Sequence, residues 1–155
     1  MKLLLVALPV VAIVAGTGVP APAATPAKSG SIVIRHQLRA CHTWSLNGGP
    51  YKASLDVRLA RGGSLTITNI DPMVHKLIQE AGSKVGMRTI SHDHMNVVGL
   101  HKITGRGVMS HMGAAVRVTF PRAGLYRFAT KDLGDYFELK AVGEHNHLML
   151  AVRVS

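Results

Sequence analysis

The sequence has little cysteine, few aromatic residues and few acidic residues, and each shortage excludes a class of protein. Cys41 is the single cysteine, so no disulfide can form within the chain. Aromatic residues make up 5% of the chain, which argues against a protein that stacks nucleic-acid bases. Asp and Glu number 8 against 18 Lys and Arg, and the net charge is +10 with neutral His. Because the cations are scattered, we expect attraction to an acidic partner protein or to anionic envelope polymers, and no nucleic-acid binding.

No apolar run has the length of a good membrane span, and the one strong apolar run lies at the start. Lys2 precedes an apolar stretch over 3–15, and the small residues at 21–24 follow. This order is typical of a signal peptide with its cleavage site. The predicted division is a signal peptide (1–24), a flexible lead-in (25–30) and one domain (31–155). We therefore expect a periplasmic or secreted monomer with no stable membrane span once the signal is removed.

Short segments of alternating hydrophobicity dominate the predicted domain. The alternation is clear over 55–59, 116–120 and 148–154, and it places one face of each strand in a core. Turns rich in Gly and Pro separate these segments, as at 48–50, and favour antiparallel connections. The pattern predicts an all-β sandwich or barrel, with one short helix expected over 133–142.

The stretch from Gly82 to Gly113 lacks this alternation. It holds His92, His94, Met95, His101, Met109, His111 and Met112. We predict a long loop across one end of the sandwich, because loops of this length in a compact domain are usually functional or disordered.

Two blocks of sequence stand on either side of that stretch. The first, residues 62–75, runs from Gly-Gly-Ser-Leu-Thr to Asn-Ile-Asp-Pro-Met-Val-His. The second, residues 116–128, reads Val-Arg-Val-Thr-Phe-Pro-Arg-Ala-Gly-Leu-Tyr-Arg-Phe. In this order the blocks resemble the cupredoxins, the family of plastocyanin and azurin, over residues 31–155. The resemblance implies an all-β, cupredoxin-like Greek-key β-sandwich with a long His/Met-bearing loop.

The chain departs from the family at the expected copper-binding cysteine. In cupredoxins that cysteine follows the tyrosine of the second block by four residues, and Thr130 stands there in this chain. The usual Cys-x-x-His-x-x-Met loop is absent as such, and residues 143–149 read Gly-Glu-His-Asn-His-Leu-Met. The resemblance therefore implies a non-standard centre for Cu(I) or Cu(II), acting in electron transfer or in copper handling and tolerance.

The candidate metal ligands are His75, Cys41, Met112, His111, His42 and His145. His75 holds the first-histidine position that the resemblance implies. Cys41 offers a thiolate, a soft ligand that favours Cu(I), although a small buried hydrophobe is the alternative interpretation of this residue.

The remaining candidates complete the site in alternative ways. Met112 or His111 supplies a thioether or an imidazole from the predicted loop. His42 can join Cys41 only in a bulge or loop, because neighbouring residues on a regular strand point to opposite faces. His145 stays a candidate if the chain before the last strand remains a loop.

A second class of function stays open. Sandwich domains also serve as metal-free binding or adhesion modules of the cell envelope, since fold alone does not fix function. The discriminating feature is whether His75, Cys41 and Met112 meet in one place. We expect no catalytic role for the chain.

Overall fold

The chain folds into β-strands. The structure, a computed structural model, describes residues 25–37, 40–71, 73–90, 105–132 and 148–155, with the backbone alone at 37, 40–42, 131 and 132. Those ranges contain nine strands and no helix. The strands are β1 (Ala27–Gln37), β2 (Ala40–Leu46), β3 (Ser54–Asn69), β4 (His75–Ala81), β5 (Gly86–Ile90), β6 (Val108–Met109), β7 (Ala115–Thr119), β8 (Gly124–Asp132) and β9 (Met149–Val154).

The strands form two layers that share β3. The second half of β3 belongs to sheet I, in the order β2-β1-β3-β7-β5. Its first half belongs to sheet II, in the order β3-β9-β8-β4-β6. β3 bends between its halves at 60–63, where Gly62 has φ of 76° and a Cβ on Gly63 would lie 2.7 Å from the Ala60 carbonyl oxygen. Glycine is required at position 62 because other residues disfavour this φ, and at position 63 because a side chain would have no room.

The pairing is mixed, whereas the turn signals indicated antiparallel connections. β1 pairs with β3 in parallel, as Ile32 opposite Ile67 shows, and β3 pairs with β9 in parallel, as Leu55 opposite Leu150 shows. In each pair, other strands lie between the two partners along the chain. The connection is therefore long enough to bring the partners together in parallel, without a tight turn.

The core lies between the two sheets and is filled by the inward residues of the alternating segments. Ile34 and Trp44 lie directly opposite each other on β1 and β2, and both are completely buried. Among the described residues, Tyr126, Phe120 and Phe128 are also fully buried aromatic residues. Each such side chain contributes about 1.5–3 kcal/mol through the burial of apolar surface.

The structure confirms the all-β sandwich and alters its details. The segment 27–30, inside the predicted lead-in, belongs to β1 and pairs with β3. The stretch 82–113, predicted as a loop, contains β5 and β6. β5 pairs with β7 as an edge strand, and it shows no alternation because most of its residues are not buried.

The predicted signal peptide at 1–24 and the predicted helix at 133–142 fall outside the described residues. In the part of the chain that the structure describes, no helix has the length and apolar character of a membrane span.

Candidate functional site

One end of the sandwich gathers buried polar side chains, and we call it the polar end. It comprises the described residues of the β3–β4 connection (69–71 and 73–75), the segment 109–114, the paired ends of β1 and β2, and the end of β8. Asn69, Asp71 and Thr130 are 0% exposed there, and His75 is 1% exposed. Buried polar groups are costly unless they find partners, so their arrangement identifies this end as the candidate functional site.

Asn69 stabilises the β3–β4 connection through side-chain hydrogen bonds. Its Nδ2 donates to the carbonyl oxygen of Met73 at 2.7 Å and to that of Met109 at 3.4 Å. Its Oδ1 accepts a hydrogen bond from the Asp71 backbone N–H at 2.8 Å. One side chain therefore holds the connection in shape and ties it to β6.

The turn that carries His111 and Met112 is anchored on the same residue. The Gly113 N–H donates to the Asn69 carbonyl at 2.6 Å, and the Asn69 N–H donates to the Ala114 carbonyl at 2.9 Å. His111 Nδ1 lies 3.1 Å from Ser110 Oγ, and Met112 is 49% exposed. The turn thus presents an accessible thioether beside the β3–β4 connection.

His75 is the first residue of β4, a strand in the interior of sheet II. It lies opposite Met109 of β6 and Asp132 of β8. Its Nε2 is 3.9 Å from Asp71 Oδ2. The Nδ1 atom of His36, a residue of β1 whose side chain is 52% exposed, lies 4.0 Å from the same oxygen. The carboxylate of Asp71 therefore stands between one buried and one accessible imidazole.

The β1–β2 ladder shifts register at this end. Arg35 lies opposite Thr43, but Gln37 lies opposite Ala40. The single residue between the two pairs on β1 is His36, whereas β2 has two, Cys41 and His42. Two residues opposite one is the arrangement of a β-bulge. In a bulge, neighbouring side chains need not point to opposite faces of the sheet.

Thr130 occupies the position where the family resemblance implies a cysteine. It is fully buried and lies opposite Leu77 of β4. Its N–H donates to the Leu148 carbonyl at 3.0 Å, and its Oγ1 accepts from the Leu148 N–H at 3.4 Å. The hydroxyl of Thr130 therefore joins the end of β8 to the chain entering β9.

The six candidate ligands differ in how far the structure describes them. The connection carrying His75 and the turn carrying His111 and Met112 come together through Asn69. Cys41 and His42 are described by their backbone, in a bulge at the same end. His145 lies outside the described residues. Among the described residues, no group of three His, Cys, Asp or Glu side chains has the arrangement of a metal site.

Three residues of this end were missed as functional candidates from the sequence. His36 follows Ile32 and Ile34 at a period of two, so the inward register of β1 already pointed to it. Asp71 was noted only as part of a turn and of the family pattern. Asn69 was noted only within the family pattern, because its hydrogen bond to the Met109 carbonyl depends on long-range packing.

Comparisons with known proteins give distant structural similarities. No protein-family model matches the chain, and no curated protein matches it. A purple cupredoxin from Nitrosopumilus maritimus aligns with a TM-score of 0.39 and 18% identity, over 81% of this chain and 98% of that one. A multi-copper oxidase from Pseudomonas thermotolerans aligns with a TM-score of 0.42 and 18% identity, over 86% of this chain and 32% of that one.

An inclusion body protein, PixA, from Burkholderia cenocepacia gives a TM-score of 0.37 and 11% identity, over 84% of this chain and 97% of that one. Similarity at this level does not assign the chain to a family.

Proposed function

We propose that this protein is an exported copper-binding protein whose site lies at the polar end of the sandwich. The observation that carries the proposal is the convergence at that end of three separate segments. They are the β3–β4 connection with His75, the turn with His111 and Met112, and the β1–β2 bulge with Cys41 and His42.

The donor types of these segments fit copper. Imidazole, thiolate and thioether are the ligands that Cu(I) favours, and imidazole also suits Cu(II). The described side chains supply imidazoles and a thioether. The thiolate of Cys41 completes the proposed set, with His145 as a further imidazole.

The exposure of Met112 favours copper handling over a fixed electron-transfer centre. Half of this side chain is accessible, so an ion held there would exchange with a partner. His75 is buried and would be the fixed ligand. When bound, copper would supply a redox couple between Cu(I) and Cu(II), and electron transfer is the alternative use of the same site.

The proposed partner is an acidic protein outside the cytoplasm. The outward face of sheet II carries Arg58, Arg127 and Arg153, which attract negative charge. The partner would receive copper or electrons, and the protein would act as a monomer in the periplasm or in the secreted fraction.

The test is a titration of the purified protein with Cu(I), by competition with a chelator, and with Cu(II), by absorption spectroscopy. We expect one tightly bound ion per chain and an intense thiolate-to-copper band with Cu(II). The band should disappear in Cys41→Ser, and the affinity should fall in His75→Gln. If neither ion binds more tightly than micromolar, the copper proposal fails.

A metal-free binding or adhesion module is the second candidate. It is supported by the β-sandwich fold, since such domains also serve as binding or adhesion units and fold alone does not fix function. The two candidates differ in stability, because an ion that binds only the folded chain raises the melting temperature. A melting temperature unchanged by Cu(I) would favour the module.

A further inference from the structure

The outward face of sheet I carries two arginines directly opposite each other. Arg88 of β5 and Arg117 of β7 are partners in the antiparallel ladder, and both are exposed. They face outward because Met87 packs against the core, as do Val116 and Val118. Side chains directly opposite on a sheet have their Cβ atoms about 4.5–5.5 Å apart, so the fold holds two positive charges side by side.

No acidic residue of sheet I compensates this pair. The strands of the sheet, with β3 counted from Ser64 to Asn69, contain neither Asp nor Glu. The residues that surround the two arginines on the same face are all described and all uncharged, namely Ala115, Thr119, Ser64, Thr68, Gly86 and Ile90. Like charges directly opposite each other destabilise a sheet, and an anion bound between the two guanidinium groups would remove this repulsion.

Sheet II contains a similar pair in different surroundings. Arg58 of β3 lies directly opposite Arg153 of β9, and both are exposed. Asp56 precedes Arg58 by two residues and is exposed on the same face, so a carboxylate lies next to this pair. The two pairs therefore provide a matched comparison of one cationic surface with an acidic neighbour and one without.

Hydroxyl groups continue the row that starts with the two arginines. Nε of Arg117 donates a hydrogen bond to Thr66 Oγ1 at 3.4 Å, which leaves both terminal nitrogens of the guanidinium outside this bond. Thr66 lies opposite Ser31 of β1. The row thus crosses four strands, from β1 through β3 and β7 to β5, over about 14 Å.

The chemistry of this row suits a polar polymer with negative groups. Guanidinium groups bind carboxylate, sulfate and phosphate through paired hydrogen bonds, and hydroxyls both donate and accept. None of the exposed large hydrophobic side chains among the described residues lies in the strands of sheet I. The face therefore lacks the apolar centre of a protein interface and the apolar side chains that enter a membrane.

We propose that the outward face of sheet I binds an acidic polysaccharide. Arg88 and Arg117 hold one negative group of the polymer between them, and the hydroxyls of Thr66 and Ser31 contact the neighbouring sugar units. None of these four residues belongs to the polar end, so this surface is independent of the proposed copper site.

The test measures binding of the metal-free, full-length protein to fluorescently labelled dextran sulfate by anisotropy, over a series of salt concentrations. We expect the wild type to bind dextran sulfate and to ignore uncharged dextran. Affinity should fall at least about tenfold in the double variant Arg88→Gln/Arg117→Gln, because hydrogen bonds to charged groups are strong. The slope of log affinity against log salt should become shallower by about one for each arginine removed.

The matched control is the double variant Arg58→Gln/Arg153→Gln. It removes the same charge from a directly opposed pair on the other sheet and should keep the wild-type affinity within about twofold. Arg88→Gln alone leaves the hydrogen bond of Arg117 to Thr66 in place and should lose part of the affinity. All the replaced side chains are exposed, so the melting temperatures should change little.

Three results would overturn the proposal. They are a wild type that does not bind dextran sulfate, equal losses of affinity in the two double variants, and duplex DNA bound as tightly as dextran sulfate. The last two would show a general attraction of a basic protein to polyanions. Since no copper is present, each of these results leaves the proposed copper function to its own test.

Discussion

The two ends of the sandwich are built on opposite principles. At the far end, which comprises the β3 bend (60–63) and the β7–β8 connection (120–124), Phe120 and Tyr126 pack edge to face with ring centroids 5.1 Å apart. Main-chain hydrogen bonds join these segments, such as the one from Gly62 N–H to the Phe120 carbonyl at 2.9 Å. The polar end instead buries an amide, a carboxylate and an imidazole. The far end packs apolar rings and pairs its main-chain groups, which stabilises the fold. The polar end buries polar groups at a cost in stability, as functional sites do.

The largest expected effect is on the stability of the far end. Phe120→Ala removes a ring that is fully buried against Tyr126 and Phe128, and we expect it to lower the free energy of unfolding by about 3–5 kcal/mol. Urea denaturation measures the change. The control is Leu125→Ala, which truncates a 44% exposed side chain and should change stability by less than about 0.5 kcal/mol.

Copper binding by folded Phe120→Ala tests whether the far end and the polar end are independent of each other. The ion should bind with unchanged stoichiometry, because the replaced ring belongs to the opposite end. Loss of binding in a folded variant would contradict the separation of the two ends.

An intermediate effect is expected from Asn69→Ala at the polar end. The substitution leaves the Asp71 N–H and the Met73 carbonyl without their side-chain partner, at a cost of about 1–3 kcal/mol. Thermal or urea unfolding measures this loss. Cu(I) affinity should fall as well, because the β3–β4 connection and the turn of Met112 lose their common anchor.

Tyr126→Phe is the matched control for that substitution. It also removes a partly buried hydrogen bond, from Tyr126 Oη to the Arg122 carbonyl at 2.7 Å, at a cost of about 0.5–1.5 kcal/mol. Copper affinity should stay at the wild-type value. Equal losses of affinity in the two variants would show that affinity follows overall stability rather than the polar end.

The smallest effect on stability is expected from Met112→Ala. The side chain is 49% exposed, so the free energy of unfolding should change by less than about 0.5 kcal/mol, while Cu(I) affinity decreases. Met149→Ala provides a control of nearly equal exposure, 51%, on the outward face of sheet II. A chelator competition that gives both variants the same affinity would remove Met112 from the proposed site.

The sequence predicts the core of the fold well because alternation is a local signal. The segments at 55–59, 116–120 and 148–154 are strands whose inward residues are buried, as the period of two requires. Which strands pair with each other is not determined by such a local signal. The parallel contacts of β3 with β1 and β9 depend on residues far apart along the chain, and alternation carries no information about them.

The candidate site is only partly predictable for the same reason. His75 was identified from the first-histidine position that the family resemblance implies, and its burial next to Asp71 is a property of the packed connection. The bulge between β1 and β2 is a shift of one residue in register, and neither strand shows it when considered alone. His36 entered the site only when β1 and the β3–β4 connection were seen side by side.

The central position of β9 has a consequence for the order of folding. β9 lies between β3 and β8, and its residue Leu150 is the direct partner of Leu55. Pairing between such distant residues is slow, because the entropy of closing the loop is lost before any contact compensates for it. Sheet II is therefore completed only when this interior strand has paired, and the two hydrogen bonds between Thr130 and Leu148 at the polar end should be among the last to form. We expect the nascent chain to take longer to fold than its small size suggests.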